Sequence, residues 1–193
     1  MTDKKSKKIK HPWRRCPLGE HWVNEHPRSV PVSEKNPDGV TIVDGHCRKN
    51  PSRHEIFVID EIHEISGQHF KSLKNKPKAD AMGFPKGNDY DDLIAGWVQF
   101  WNEIFKPKAP LDPNLIKALV ASESGFNIGA EADSKIGVAK GLIQITEQTR
   151  KILANQKGEL SDFLITLSKK EVTDPNANLF AGIRWLFHKK YLA

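Results

Sequence analysis

The amino-acid sequence predicts a mainly α-helical body over residues 89–193, preceded by a small loop- and β-rich N-terminal module. Three observations carry this. Apolar residues from Leu93 to Phe105, from Leu115 to Val120 and from Leu179 to Phe187 recur at helical spacing. Asp112-Pro113 and Asp174-Pro175 each pair an N-cap with a proline at the first helical position. The front third is rich in Pro, Gly, His and Arg, with only short β-prone runs.

Taken in order, residues 1–10 (MTDKKSKKIK) read as a disordered basic tail. Residues 11–88 read as a small His-, Cys- and Arg-containing module plus linker. Within it, Val23-Asn24-Glu25-His26-Pro27-Arg28 and Val43-Asp44-Gly45-His46-Cys47-Arg48 both fit V-x-x-H-x-R, and the turn signal Asn36-Pro37-Asp38-Gly39 lies between them. Two short strands around a loop are expected. The run Ile56-Phe57-Val58-Ile59 suggests one buried strand or the start of a helix, and Ile62, Ile65 and His69 continue at helical spacing. Residues 71–88, with Pro77, Gly83, Pro85 and Gly87, read as a linker or surface loop.

From residue 89 the chain changes character. A strongly apolar helix ends before Lys106-Pro107, because proline disfavours helix in the residue before it. A second helix starts at Asp112-Pro113 and stops at Gly125. Residues 126–140 are read as loop, Thr146 with Glu147 opens a helix through Leu153, and a further helix is expected over residues 159–167. The last helix follows Asp174-Pro175.

The bulk composition is that of a soluble globular protein: 193 residues, 38% hydrophobic and 28% charged. No apolar run approaches a transmembrane span, and the lysine-rich start is not followed by the apolar stretch of a secretory leader. A net charge of +6 favours a polyanionic partner. Nucleic acid is disfavoured, since no recognised binding motif is present and the basic residues do not gather on one expected helix. Cys16, His21, His46 and Cys47 are zinc-ligand types in one stretch, but their spacing matches no common finger. The two cysteines allow free thiols, one disulfide or two metal ligands. Histidines packed against strands, with free cysteines, is the preferred expectation, and no cofactor is called for.

The chemistry-bearing candidate is Glu123. It lies seven residues past Ile116, four past Leu119 and three past Val120, so helix geometry sets it on the expected buried stripe at the helix C-terminus. Desolvation and the negative end of the helix dipole both disfavour a charged carboxylate. A carboxyl group kept protonated near neutral pH is what a glycosidic general acid requires.

Glu123-Ser124-Gly125-Phe126-Asn127, followed by Gly141-Leu142-Ile143-Gln144-Ile145, then T-x-x-T-R-x-x-L from Thr146, then Asp174-Pro175-Asn176-Ala177-Asn178 with Gly182 and Leu186, resembles the signature of lytic transglycosylases of the soluble transglycosylase (goose-lysozyme-like) family. The resemblance covers residues 112–193. It implies a lysozyme-like helical catalytic domain in which Glu123 is the acid/base. Ser124 would help hold sugar or carboxyl, and residues Gly141, Leu142, Ile143, Gln144 and Ile145 would line the sugar groove. Glycine at Gly141 fits a close approach of backbone to ligand. Ile143 stands where methionine is usual, and the family's tyrosine-bearing segment after the last helix is not found before the chain ends at Tyr191-Leu192-Ala193, leaving Tyr90, Tyr191 or another aromatic to substitute.

The implied reaction cleaves the β-1,4 bond between N-acetylmuramic acid and N-acetylglucosamine in peptidoglycan glycan strands, leaving a 1,6-anhydro end. A lysozyme-type hydrolase or phage endolysin is the alternative and would need a second carboxylate, for which Glu131 and Asp133 are nearest. A non-catalytic cell-wall-binding adaptor is another. Action in the periplasm or cell wall without a leader would call for a specialised secretion machine or phage release. As a secreted antibacterial effector, the chain would also have an immunity partner in the producing cell.

Overall fold

The computed structural model describes residues 13–51, 54–133 and 137–192, with side chains described up to residue 189. The basic tail of residues 1–10 and the side chain of Tyr191 lie outside the described residues.

The front of the chain is a two-stranded ribbon. Strand β1 (Glu20–Val23) pairs antiparallel with β4 (His46–Lys49), and β2 (His26–Ser29) with β3 (Val40–Val43). The two V-x-x-H-x-R segments lie opposite one another where the ribbon changes from one pair to the next, with Val23 opposite His46 and His26 opposite Val43. All of β2 is exposed, as are Val40 and Ile42 of β3. Cys16 and Cys47 form a disulfide, with Cα atoms 5.5 Å apart. This corrects both the free-thiol expectation and the zinc set. Two sulfurs bonded to each other leave no thiolate for a metal, His21 Nδ1 is 2.7 Å from Asn50 Oδ1, and His46 Nδ1 is 2.9 Å from Asp44 O. Among the described residues no three metal-ligand side chains come together.

Strand β5 (Glu55–Phe57) leads into α1 (Ile59–His69), as the apolar run and its helical continuation foretell. Their packing reaches across the boundary expected near residue 89. Phe57, Ile62, Ile65 and Phe70 share one core with α2 (Asp91–Phe105) and α5 (Pro175–Leu192). At its centre the Trp97 and Trp101 rings lie 4.5 and 4.8 Å from Phe180, and Phe57 sits 5.0 Å from the same ring. Both indole N–H groups are satisfied there, Trp97 by Asn176 Oδ1 at 2.7 Å and Trp101 by Phe180 O at 3.1 Å, as buried tryptophans require.

Residues 159–167 are not a helix. Phe163–Ile165 form strand β9, which pairs in parallel with β5. Phe163, Leu164 and Ile165 are all buried, and a short unbroken apolar run is the signature of a strand covered on both faces. No helix among the described residues is long and apolar enough to cross a membrane.

Helix α3 (Pro113–Ser124) has the predicted boundaries. Asp112 accepts the Asn114 N–H as N-cap, and Gly125, at φ 56°, ends the helix in the left-handed region. Beyond it, β6 (Glu131–Ala132), β7 (Ala139–Lys140) and β8 (Ile145–Thr146) form a small antiparallel sheet within the segment expected to be mainly loop. Thr146 caps α4 (Glu147–Leu153), as predicted.

Candidate active site

The face that α3 turns to the core is not the one its apolar pattern implies. Ile116, Lys117 and Val120 are buried, whereas Leu115 is 60% exposed and Glu123 is exposed. At about 100° per residue, Glu123 lies roughly 65° from the middle of the buried face. The expected burial of Glu123 is therefore corrected: its carboxylate stands at the open edge of the helix, one turn beyond Leu119.

The cause is Lys117. Its side chain is fully buried, and its ammonium donates to Ala79 O at 2.8 Å, Asn88 Oδ1 at 2.7 Å and the Asp91 carboxylate at 3.0–3.1 Å. Three acceptors, one of them the Asp91 counter-charge, offset the cost of burying the cation. Asn114 Oδ1 accepts the N–H groups of Lys78 and Ala79, and Phe84 packs edge-on against Phe126 with ring centroids 5.6 Å apart. Residues 77–91 thus clamp α3 along its length. Their role was missed in the sequence, although a lysine between two buried apolar positions, Ile116 and Val120, is a signal that could have pointed to it.

The turn after α3 is strained. Phe126 is fully buried and has φ 62°, directly after Gly125 at φ 56°. Gln144 has φ 50°. Non-glycine residues held in the left-handed region gather at functional sites. Both lie in segments that carry the family resemblance.

Facing the end of α3 is the turn of residues 141–144, which links β7 to β8. Ser124 Oγ lies 3.0 Å from Leu142 O and 3.1 Å from Val120 O, so its hydroxyl ties the helix end to the turn. Gln144 Nε2 donates to Gly141 O at 2.8 Å and to Ala130 O at 3.2 Å. Leu142 and Ile145 are buried, while Ile143 and Gln144 are half-buried. Gly141 has φ 79°, and a Cβ there would collide with the Asn178 carboxamide. The close approach that requires glycine is thus to Asn178, within the protein.

Asn178 is the main residue that the sequence reading left without a role. Fully buried on α5, it accepts Ile143 N–H at 2.8 Å and donates to Lys140 O at 3.0 Å and Val172 O at 2.8 Å. It fixes the turn from behind. The Asp-Pro pair before it starts α5, with Asp174 accepting the Ala177 N–H at 2.9 Å. Asp174 also pairs with His63 at 3.2 Å, which raises the histidine pKa and accompanies a lowered one for Asp174.

Of the alternative carboxylates, Glu131 is exposed and ion-paired to Lys140 at 2.5 Å, and Asp133 is exposed. The site thus offers one carboxylate at a helix end, beside a turn pinned to a second helix. That is a candidate acid/base centre on a helical body.

Residues 102–191 match the family model described as Transglycosylase SLT domain. For residues 102–191 this match implies a lysozyme-like fold and supports a transglycosylase- or lysozyme-like action on cell-wall peptidoglycan. Nothing among the curated proteins or the solved structures matches the chain.

Proposed function

We propose that the chain is a peptidoglycan lytic transglycosylase cleaving the β-1,4 bond between N-acetylmuramic acid and N-acetylglucosamine. The support for this reading is the exposed Glu123 at the end of α3, whose neighbour Ser124 is hydrogen-bonded to the turn of residues 141–144. Glu123 gives its proton to the leaving O4 of N-acetylglucosamine as the glycosidic bond breaks. The resulting carboxylate takes the proton of the muramic C6 hydroxyl, whose oxygen closes on C1. The products are a 1,6-anhydro end and a free 4-hydroxyl; Glu123 is restored and no water is consumed. One carboxyl group acting twice suits a site where Glu131 is already engaged by Lys140. Desolvation of Glu123 would come from the glycan strand laid over it.

The test is digestion of purified peptidoglycan by the native chain and by Glu123→Gln, with products read by mass spectrometry. Anhydro ends from the native chain, and a loss of roughly a thousand-fold or more in the variant, are expected for removal of the sole acid/base. Hydrated ends would instead assign a lysozyme-type hydrolase, with Asp133 as the partner to substitute next.

The Cys16–Cys47 disulfide favours work in an oxidising compartment such as the periplasm. An antibacterial effector delivered by a specialised secretion machine, with an immunity partner in the producer, fits that setting. Toxicity on periplasmic but not cytosolic expression is its readout.

A further inference from the structure

The V-x-x-H-x-R repeat of the ribbon has no part in the site at α3, and the fold gives its two copies the same local geometry. In each copy the imidazole Nδ1 faces the carbonyl two residues back on its own strand: His26 at 3.0 Å from Asn24 O, His46 at 2.9 Å from Asp44 O. Val23 stands opposite His46, and Val43 opposite His26. The two copies are therefore exchanged by an approximate two-fold rotation about the break between the strand pairs. Across that break the two rings meet, with centroids 6.3 Å apart and planes inclined by 40°. Both side chains are exposed.

A carbonyl oxygen can only accept, so Nδ1 carries a proton in both rings. In the neutral ring the lone pair is then on Nε2. Histidine ligands of metals are usually prepared in this way, one nitrogen donating to a carbonyl or carboxylate and the other free for the ion. A zinc ion held tetrahedrally by two Nε2 atoms, at about 2.1 Å from each, sets the ring centroids about 5–6 Å apart. The observed 6.3 Å is a small ring rotation away, and the ring torsion of histidine is soft.

The surroundings suit a cation. Between Glu20 and Asn50 four Lys and Arg are set against five Asp and Glu, and Glu25 and Asp44 lie at the break itself. The same balance disfavours an anion as ligand. Trp22 holds the break in shape: its indole N–H donates to Asn24 Oδ1 at 2.8 Å, and its ring lies where a Cβ on Gly45 would sit. The pair differs from the expected zinc set, whose cysteines are joined to each other and whose His21 is engaged by Asn50. Among the described residues no group of three ligand side chains forms, so water completes the coordination. Imidazole donors select zinc or copper over magnesium and calcium, which prefer oxygen.

We infer that His26 and His46 form a two-imidazole site for a divalent transition-metal ion of the zinc or copper class, which clasps the ribbon at its break. The inference is independent of the proposed function.

The test is titration of the isotope-labelled full chain with zinc chloride in chelator-free buffer, and in parallel with magnesium chloride, following imidazole nitrogens and backbone amides. Zinc should shift Nε2 of His26 and His46 together, at one ion per chain, and magnesium should shift neither. Because both side chains are exposed, alanine variants keep the fold. His26→Ala and His46→Ala should each weaken zinc binding about ten-fold or more, with the double variant little worse, because the chelate is lost with the first ring. His21→Ala should bind like the native chain. At saturating zinc the amides of residues 24–26 and 44–46 should exchange about ten-fold more slowly. Zinc shifts confined to other histidines, equal shifts with magnesium, or native affinity in either single variant would overturn the site. Binding with unaltered exchange at the break would overturn the clasp.

Discussion

At the scale of single residues, the site depends on side chains that never reach the groove. Asn178 satisfies one N–H and two carbonyls, all in or beside the turn of residues 141–144 and the end of α5. Asn178→Ala leaves these groups unpaired, and each such loss costs on the order of 1 kcal/mol or more. The variant should be destabilised by about 3 kcal/mol, read by denaturant unfolding. Glycan cleavage should fall further than stability, because the turn is released. A variant unfolding like the native chain would show that Asn178 does not fix the turn. Glu123 and the glycine-containing turn were legible as a sequence pattern. The reason for Gly141 was not, since its constraint is a contact with Asn178 from another helix. The exposure of Glu123 departs from the apolar pattern for a related reason. The apolar stripe of α3 includes Leu115, which is 60% exposed, and omits Lys117, which is fully buried.

At the scale of elements, α3 is placed by a segment that reads as linker. Capping and proline signals at Asp112-Pro113 and Gly125 set its ends locally, and these were readable. Its rotation is set by tertiary partners across residues 77–91, and the local sign of them is Lys117 between the buried Ile116 and Val120. Strand β9 reads equally as helix for the same reason: its partner β5 lies far upstream, and three buried apolar residues satisfy either template. Lys117→Met tests the clamp. The methionine fills much of the space but leaves Asp91, Asn88 and Ala79 O without their shared donor. Removing one member of a buried charge pair typically costs about 3–5 kcal/mol. Faster hydrogen exchange over residues 79–91, with reduced cleavage by a still-folded chain, is the expected result. If exchange there were unaltered, the loop would not depend on Lys117.

At the scale of the whole molecule, the ribbon and the body meet at one buried junction. Arg14, from the segment ahead of the ribbon, contacts Glu55, Glu61 and the Glu20 carbonyl and lies over the Phe57 ring. Nearby, Trp13 stacks on His69, and the disulfide ties Cys16 to β4. By loop closure across 31 residues, that bond contributes about 3–4 kcal/mol. The junction holds one guanidinium against two carboxylates, and Glu61 Oε2 has no hydrogen-bond partner among the described residues. Burial outweighs the attraction of Arg14 and pushes the Glu61 pKa from 4.5 to about 7. The folded state therefore holds this proton more tightly than the unfolded chain does. Its contribution is fully present below about pH 4.5 and is lost as pH rises through 7. The size of the shift corresponds to about 3 kcal/mol. Glu61→Gln is neutral throughout and keeps a donor and an acceptor at the position. Relative to this variant, the native chain should lose roughly 5–10 °C in melting temperature between pH 5 and pH 8, at a few degrees per kcal/mol for a chain of this size. The His63–Asp174 pair, whose hydrogen bond raises the histidine pKa, is common to both proteins and cancels in the difference. Parallel melting curves across the range would mean that Arg14 holds Glu61 ionised, and that the junction is an ordinary ion pair.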